Sequence, residues 1–431
     1  MLELHDIITG EVVGMAFGGA GIVRHDGFVI FVPFTAPGDK VTCRITQKKK
    51  SFANAELIAI ERASPQRTKP LCPYFGACGG CQLQHLLYPA QLECKEHDVE
   101  DALKRISHHK EKSVLPVVGA EQQWAYRRHI TLKLRPMGDA FEAGYVAIDN
   151  VSLIKVKQCP IFVEINDTIL QEVQQVAQSL KNTSKEDGKV AIFKSENRRF
   201  LLHFHFQYLP PNAVAAMENA LSQFKNWRGV VLSSRNRTIT FGETQSIFEV
   251  DQLKIAFSTK AFIQNHPEQS VNIYREICRI AQASNAKKIL DLYCGIGVLS
   301  LLLASHGHLV KGVEFNPEAI GLAQHNAKIN GIEHVSFTQG DVAEKLGDLI
   351  NHFRPDLVIA NPPRTGLEAK VVNILVSSGI REIIYISCMP STLARDLKML
   401  CEESYHLKQC QPYDMFPQTA HVETIAHLIQ K

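Results

Sequence analysis

Three short stretches in the C-terminal third carry side chains able to make and break bonds. Ser387-Cys388-Met389-Pro390 offers a thiol, and His421-Val422-Glu423 offers an imidazole and a carboxylate. Asn361-Pro362-Pro363-Arg364 is a polar loop stiffened by its prolines, which hold the preceding residue in an extended shape. A cysteine and a carboxylate brought to one crevice are equipped for covalent catalysis with a base. Each also has a plainer reading. Cys388 as an inert buried thiol is the commoner fate of a cysteine. Glu423 can be one more surface acid and His421 a structural histidine.

Upstream, ILDLYCGIGVLSLLL is a buried strand ending in an acid, a glycine turn and then a helix. Gly295 and Gly297 let the backbone approach a ligand closely. Glu314 ends the next strand about twenty residues on, where a carboxylate can bind ribose hydroxyls. Leu299 and Ser300 stand where the third glycine of a dinucleotide fingerprint would fall, so S-adenosylmethionine fits this turn better than a nicotinamide. Asp341, after the apolar Val335 to Phe337 run, is placed to meet an adenine edge, although an acid there often only caps a helix.

A second constellation lies earlier. Cys72, Cys78 and Cys81 are separated by five and two residues, with glycines at 79 and 80 that allow a tight wrap around a metal centre. Eleven cysteines, an odd number, fit a disulfide framework poorly, and clustering points to metal ligation or catalysis. An iron-sulfur cluster and a tetrahedral zinc both suit such thiolates. The fourth ligand must come from elsewhere, and Cys94 is near in sequence.

The elements that must position these groups fall into three stretches. Residues 1–60 read as a small β-barrel of the oligonucleotide-binding kind, with strands at Glu11 to Met15, Gly21 to Arg24, Phe28 to Pro33 and Lys40 to Gln47. The run Lys48-Lys49-Lys50-Ser51-Phe52 sets cations beside an aromatic expected to be exposed, a pairing suited to single-stranded RNA. Residues 61–250 read as a central α+β domain that begins with the cysteine segment. A short helix is expected at Asp98 to Ile106, strands at His129 to Leu134, Val151 to Val156, Arg199 to Phe206 and Gly229 to Ser233, and a helix near Asp167 to Leu180. From 251 to 431, strands and helices alternate as in a doubly wound, Rossmann-like parallel sheet. Ligands then bind beyond the carboxyl ends of strands, where the three reactive stretches can converge.

Composition sets the outer limits. A chain of 431 residues with 45% hydrophobic and 21% charged residues is not a disordered one. The longest apolar run, Ile289 to Ala304, contains Asp291 and two glycines and is too short for a membrane helix. The N-terminus has no basic stretch leading into an apolar one, so a cytoplasmic location is expected. A net charge of +3 does not by itself argue for nucleic acid, and neither does the basic run from Lys40 to Pro70.

Eight segments together are specific. GMAFGGAGIVRHDGFVIFVPFTAPGDKV resembles a TRAM domain. CPYFGACGGCQLQHL, AYRRHITLKL, AFIQNHPEQSVNIY, LDLYCGIG, ANPPRTGL, YISCMPSTLARDL and FPQTAHVETIAHL follow in order over nearly the whole chain. Their order and content resemble the RNA 5-methyluridine methyltransferases that modify bacterial ribosomal and transfer RNA, most of all the TRAM-containing, iron-sulfur type that acts on 23S ribosomal RNA. The resemblance implies that Cys388 adds to carbon 6 of the target uracil, that carbon 5 takes a methyl group from S-adenosylmethionine, and that Glu423 removes the carbon 5 proton. It assigns Gln264, Tyr293, Glu314 and Asn361 to the cofactor. It makes Cys159 the fourth ligand of a [4Fe-4S] cluster with Cys72, Cys78 and Cys81. It implies RNA as partner, ribosomal rather than transfer RNA, no membrane, and a monomer. Two departures flank the chemistry: Asn361 where the family usually has Asp, and Met389 where it has Asn. They leave room for a non-catalytic RNA-binding relative. A redox iron-sulfur protein is the other rival, and it gives no reason for the cysteine and the glutamate.

Overall fold

The computed structural model describes residues 2–108, 113–163 and 167–431. The N-terminal strands Ile7–Ala16, Ala20–His25, Phe28–Pro33, Lys40–Lys48 and Phe52–Arg62 close into a barrel. Alternation builds its core: Ile8, Val12, Val23, Ile30, Val41, Cys43 and Ile45 all point inward. The sequence reading lacks the fifth strand. FANAELIAIER is rich in alanine and charge, a composition poor in strands generally. Here Ala53 and Ala55 are the small inward residues that let the barrel close. Phe52, expected to be exposed, packs edge-on against Phe31, and Lys48 pairs with Glu3 at 3.2 Å, which leaves Lys49 and Lys50 as the exposed cations of that run.

The helix expected at Asp98 to Ile106 begins ten residues earlier. It runs Tyr88–Ala102, with Pro89 in its first turn, and continues as a wider turn over Leu103–Ser107. Its buried side includes Gln91 and Lys95, so polar residues on its inner face hid it from an apolar pattern.

Next comes a seven-stranded sheet in the order Thr238–Gly242, Trp227–Ser233, Phe200–His205, Gly188–Lys194, His129–Met137, Ala140–Val146, Leu153–Ile154. The expected strand from Val151 to Val156 is reduced to its Leu153–Ile154 pair. Helices Ile169–Ser179 and Ala213–Gln223 cover the sheet with Val173, Val176, Met217 and Ala220.

The C-terminal sheet is also seven-stranded. Its order is Val335–Gln339, Leu309–Glu314, Lys288–Leu292, Leu357–Ala360, Glu382–Ser387, Glu423–Gln430, Tyr405–Tyr413. The first five are parallel. Strand Glu423–Gln430 runs antiparallel to both its neighbours, a departure from the parallel sheet expected. Ile289, Ile359 and Ile384 face one core beneath helices Pro267–Ala283, Val298–Ser305 and Pro317–Ile329. Leu290, Val358 and Ile383 face another beneath Val342–Phe353, Ala369–Ser377 and Pro390–Glu403. Burial on both faces is why these strands read as continuous apolar runs. Strand order reverses at Lys288–Leu292, and ligand crevices open at such reversals. Among the described residues no helix is long and apolar enough to cross a membrane.

Candidate active site

At that reversal lies an open cleft, the place where ligands of such sheets bind. Gln264, Tyr293, Gly295 and Asn361 line it together with Arg128 and Asp291. The turn that shapes it needs its glycines. Gly295 has φ +54° and Gly297 φ +82°, and a Cβ on Gly297 would come within 2.8 Å of Phe337. Tyr293 also takes a left-handed conformation, φ +62°, which a bulky side chain adopts at a cost.

Glu314 braces the turn from the next strand. One carboxylate oxygen accepts from the Gly295 N–H at 3.2 Å and the other from Asn316 N–H at 2.8 Å. Asp291 is buried, accepts from the Ser300 hydroxyl at 2.5 Å, and is pushed up to about 7 by desolvation. Asp341 caps helix Val342–Phe353 by accepting from Ala343 N–H at 2.7 Å. It is not among the residues lining the cleft, although its charge reaches the Tyr293 phenol.

Asn361 follows strand Leu357–Ala360 and leads into the proline loop. That loop is fastened to the helix after Cys388. Buried Asp396 accepts from Leu367 N–H at 2.8 Å and from Tyr385 OH at 2.6 Å, and Arg395 donates to Thr365 O at 2.9 Å. Gly366, φ +78°, has no room for a Cβ beside Asp396. Arg364 is thereby held against the reactive groups, and Thr392 donates to its carbonyl at 3.3 Å.

Cys388 is half-buried at the end of strand Glu382–Ser387. Burial raises its thiol and the nearby Glu423 raises it further, while the charge and a hydrogen bond of Arg364 lower it. Glu423 is buried and pushed up to about 8, with Arg364 opposing the shift. Cys388, Arg364 and Glu423 are thus one electrostatic unit. Arg364 was singled out in sequence only as a loop residue, and its role comes from the fold.

Glu423 does not follow a strand, as the sequence reading placed it; it is the first residue of one. Because Glu423–Gln430 runs antiparallel to Glu382–Ser387, its beginning lies at the carboxyl ends of the parallel strands. Ser387 pairs with Thr424, which sets Cys388 and Glu423 at the same edge. The segment before Glu423 is clamped from elsewhere in the chain. Lys95 and Asp414, both fully buried, pair at 2.5 Å, and Lys95 also donates to Phe416 O at 3.1 Å. Gln91 exchanges two hydrogen bonds with Gln418, which sits at φ +72°. Tyr126 OH donates to Pro417 O at 3.0 Å. His421, beside Phe416, is pushed down to about 4 by burial and by Arg364, Lys95 and Arg127, so it is neutral near pH 7.

Cys72, Cys78, Cys81 and Cys159 line one cavity, with Arg127 and Tyr145 in its wall. Tyr145 OH donates to Cys159 Sγ at 3.5 Å, and Gly80 N–H to Cys78 Sγ at 3.4 Å. Burial raises all four thiols. Cys94 lies apart, packed with Leu83, Leu86 and Ala90. No group of three or more His, Cys, Asp or Glu side chains among the described residues is arranged to hold a metal ion.

The profile of the tRNA (uracil-5-)-methyltransferase family matches residues 212–431, about half of the chain, and that of the TRAM domain matches residues 8–58. An uncharacterized RNA methyltransferase of Protochlamydia amoebophila is 48% identical over 99% of both chains. The chain belongs to the tRNA (uracil-5-)-methyltransferase family. Another uncharacterized RNA methyltransferase, from Halalkalibacterium halodurans, is 30% identical over 98% of this chain and 97% of its own. Among solved structures, the Pyrococcus abyssi tRNA (uracil-54, C5)-methyltransferase with S-adenosyl-L-homocysteine superposes with a TM-score of 0.76. It is 26% identical and covers 98% of this chain and 99% of its own. The protein is an RNA (uracil-5-)-methyltransferase with a TRAM barrel.

Proposed function

We propose that this methyltransferase modifies carbon 5 of a uridine in RNA through a covalent bond between Cys388 and carbon 6 of the uracil. The observation that carries this is the unit of Cys388, Arg364 and Glu423 beside the cleft that Asn361 lines. Unactivated carbon 5 is a poor nucleophile, and addition of sulfur at carbon 6 pushes the C5=C6 electron pair toward the carbonyl and makes carbon 5 reactive. Arg364 favours the thiolate needed for that attack. S-adenosylmethionine, when bound, supplies the methyl group. Glu423 takes the carbon 5 proton, the C–S bond breaks, and Cys388 recovers its electron pair. One proton is released per methyl transferred. The base must leave its stack to reach a half-buried thiol, so a flipped or single-stranded uridine is the target.

The substrate proposed is 23S ribosomal RNA, on the resemblance of the barrel and cysteine segment. Transfer RNA is the second reading, favoured by what the Pyrococcus neighbour modifies. Mass mapping of 5-methyluridine in total RNA, with and without the gene, decides between them. A ribosomal site lost with the gene is the result expected, and loss from transfer RNA alone overturns the ribosomal reading.

The departure at position 361 bears on rate. An amide keeps the loop geometry but lacks the carboxylate charge. One lost charge-assisted hydrogen bond is worth about 1.5–3 kcal/mol, or roughly 10- to 150-fold in rate if the loss falls on the transition state. Asn361→Asp is therefore expected to be at least as active as the native protein in single-turnover methyl transfer. A marked drop would mean that the pocket, Met389 included, is adapted to the neutral amide.

For the cysteine cavity the reading is a [4Fe-4S] cluster held by Cys72, Cys78, Cys81 and Cys159. It is supported by the four thiols around one cavity, and tetrahedral zinc is the competing reading of the same thiolates. Such a cluster would fasten the segment whose Leu83 N–H donates to Gln418 O at 3.0 Å, just ahead of Glu423. Anaerobically purified protein is expected to contain iron, to lose it in Cys81→Ala, and to keep it in Cys94→Ala. Stoichiometric zinc without iron would reject the cluster.

A further inference from the structure

Arg128 comes from the central part of the chain, one residue before strand His129–Met137, yet its side chain lines the cofactor cleft. It is the one cation among the described residues lining that cleft. Its backbone is fixed on both sides: its N–H donates to Asn265 O at 2.8 Å, and its carbonyl accepts from Lys194 N–H at 2.8 Å. Its guanidinium lies 3.9 Å from the centre of the Phe248 ring. Among the described residues that guanidinium has no hydrogen bond and no carboxylate. Two other half-buried arginines have carboxylate partners. Arg67 faces Asp39 at 3.2 Å and Arg228 faces Glu243 at 2.7 Å. Burial pulls Arg128 down to about 10.

A half-buried guanidinium in a ligand cleft, with no carboxylate partner among the described residues, is placed to receive an anion. S-adenosylmethionine carries one anionic group, the carboxylate of its amino-acid portion. The acids at the glycine turn, Asp291 in the cleft lining and Glu314 bonded to the Gly295 N–H, make that side a poor place for it. We propose that Arg128 binds the amino-acid carboxylate of S-adenosylmethionine and that Phe248, stacked on the guanidinium, holds the fork in place for it. The cofactor site is then shared between the central part of the chain and the methyltransferase sheet. The proposal rests on reading this cleft as the cofactor site.

The test is calorimetric binding of S-adenosylhomocysteine and of 5′-methylthioadenosine, which lacks the amino-acid portion, to native protein, Arg128→Met and Arg128→Lys. Arg128→Met is expected to weaken S-adenosylhomocysteine roughly 10- to 150-fold, the range for a charge-assisted hydrogen bond, and to leave methylthioadenosine within about twofold. Arg128→Lys, which keeps the charge but not the fork, is expected to fall between. Equal losses for both ligands would mean that Arg128 only supports the cleft wall and would overturn the assignment. So would unchanged S-adenosylhomocysteine binding, and if RNA affinity without cofactor drops instead, the anion is an RNA phosphate. Failure of the native protein to bind S-adenosylhomocysteine would instead remove the cofactor reading of the cleft and the proposal with it.

Discussion

Replacing Cys388 by alanine is expected to abolish covalent capture of RNA carrying 5-fluorouridine at the target. Fluorine at carbon 5 cannot leave as a proton does, so native protein should stop at the methylated adduct and give a gel-stable protein–RNA band. Without the thiol no S–C6 bond forms. Methyl transfer to ordinary RNA should fall on the order of 10⁴-fold or more, as when other catalytic nucleophiles are removed. The fold should survive, because Cys388 is half-buried and the loops around it are held by Asp396, Arg395 and Thr392. A band of equal strength from Cys388→Ala would show that another group attacks the base. The other half-exposed cysteine near the cleft, Cys294, is a poor substitute, since burial and the charges of Asp291 and Glu314 push its thiol well up.

Glu423→Gln is the complementary case. Its adduct should form with ordinary RNA and accumulate, because methyl transfer needs the cysteine while release needs the base. Loss of a general base typically costs 10²–10⁴-fold, and here that loss should fall on resolution. Burial raises Glu423 to about 8, so the proton-accepting form grows as pH rises toward that value. Release should therefore speed up from pH 6 to about 8 in the native protein, and the variant should lack this dependence. The same shift has a consequence for stability. The folded chain holds the Glu423 proton more tightly than the unfolded chain, whose value is near 4.5, so stability from this group is full below about 4.5 and declines as pH rises to about 8. Melting of Glu423→Gln should be less sensitive to pH across that window. Equal release at every pH by the two proteins would remove Glu423 from the proton step.

The residues that could do chemistry were legible because their types are few and most of their loops follow strands; Glu423, which begins one, is the exception. Cys388 and the turn at Gly295 follow parallel strands where alternation predicts a crevice. Asp341 illustrates the limit. A lone acid after a strand can cap a helix or meet a ligand, and the fold uses it as a cap. Cys94 and Cys159 show another. Cys94 is nearer in sequence to Cys81, yet it faces away with Leu83 and Leu86, while Cys159 closes the cavity. Arg128 was hidden in AYRRHITLKL, which reads as the start of a strand, because no local pattern says that one arginine of a pair turns to the cysteine cavity and the next to the cleft at the strand reversal.

What the sequence determined by itself was therefore local. Apolar alternation built the barrel, two-faced apolar runs built the buried sheet, and glycines at positive φ made the turn a ligand can approach. These depend on neighbours a few residues apart, and the chain carries them in its own spacing. The tertiary structure decided what depends on long-range pairing. The direction of strand Glu423–Gln430, set by its antiparallel register with Glu382–Ser387, brings Glu423 to Cys388. The buried Lys95–Asp414 pair, 319 residues apart in sequence, ties the helix after the cysteine segment to the loop before that glutamate. Burial then gives Glu423 its raised affinity for a proton, because only packing removes the water that would otherwise stabilise its charge.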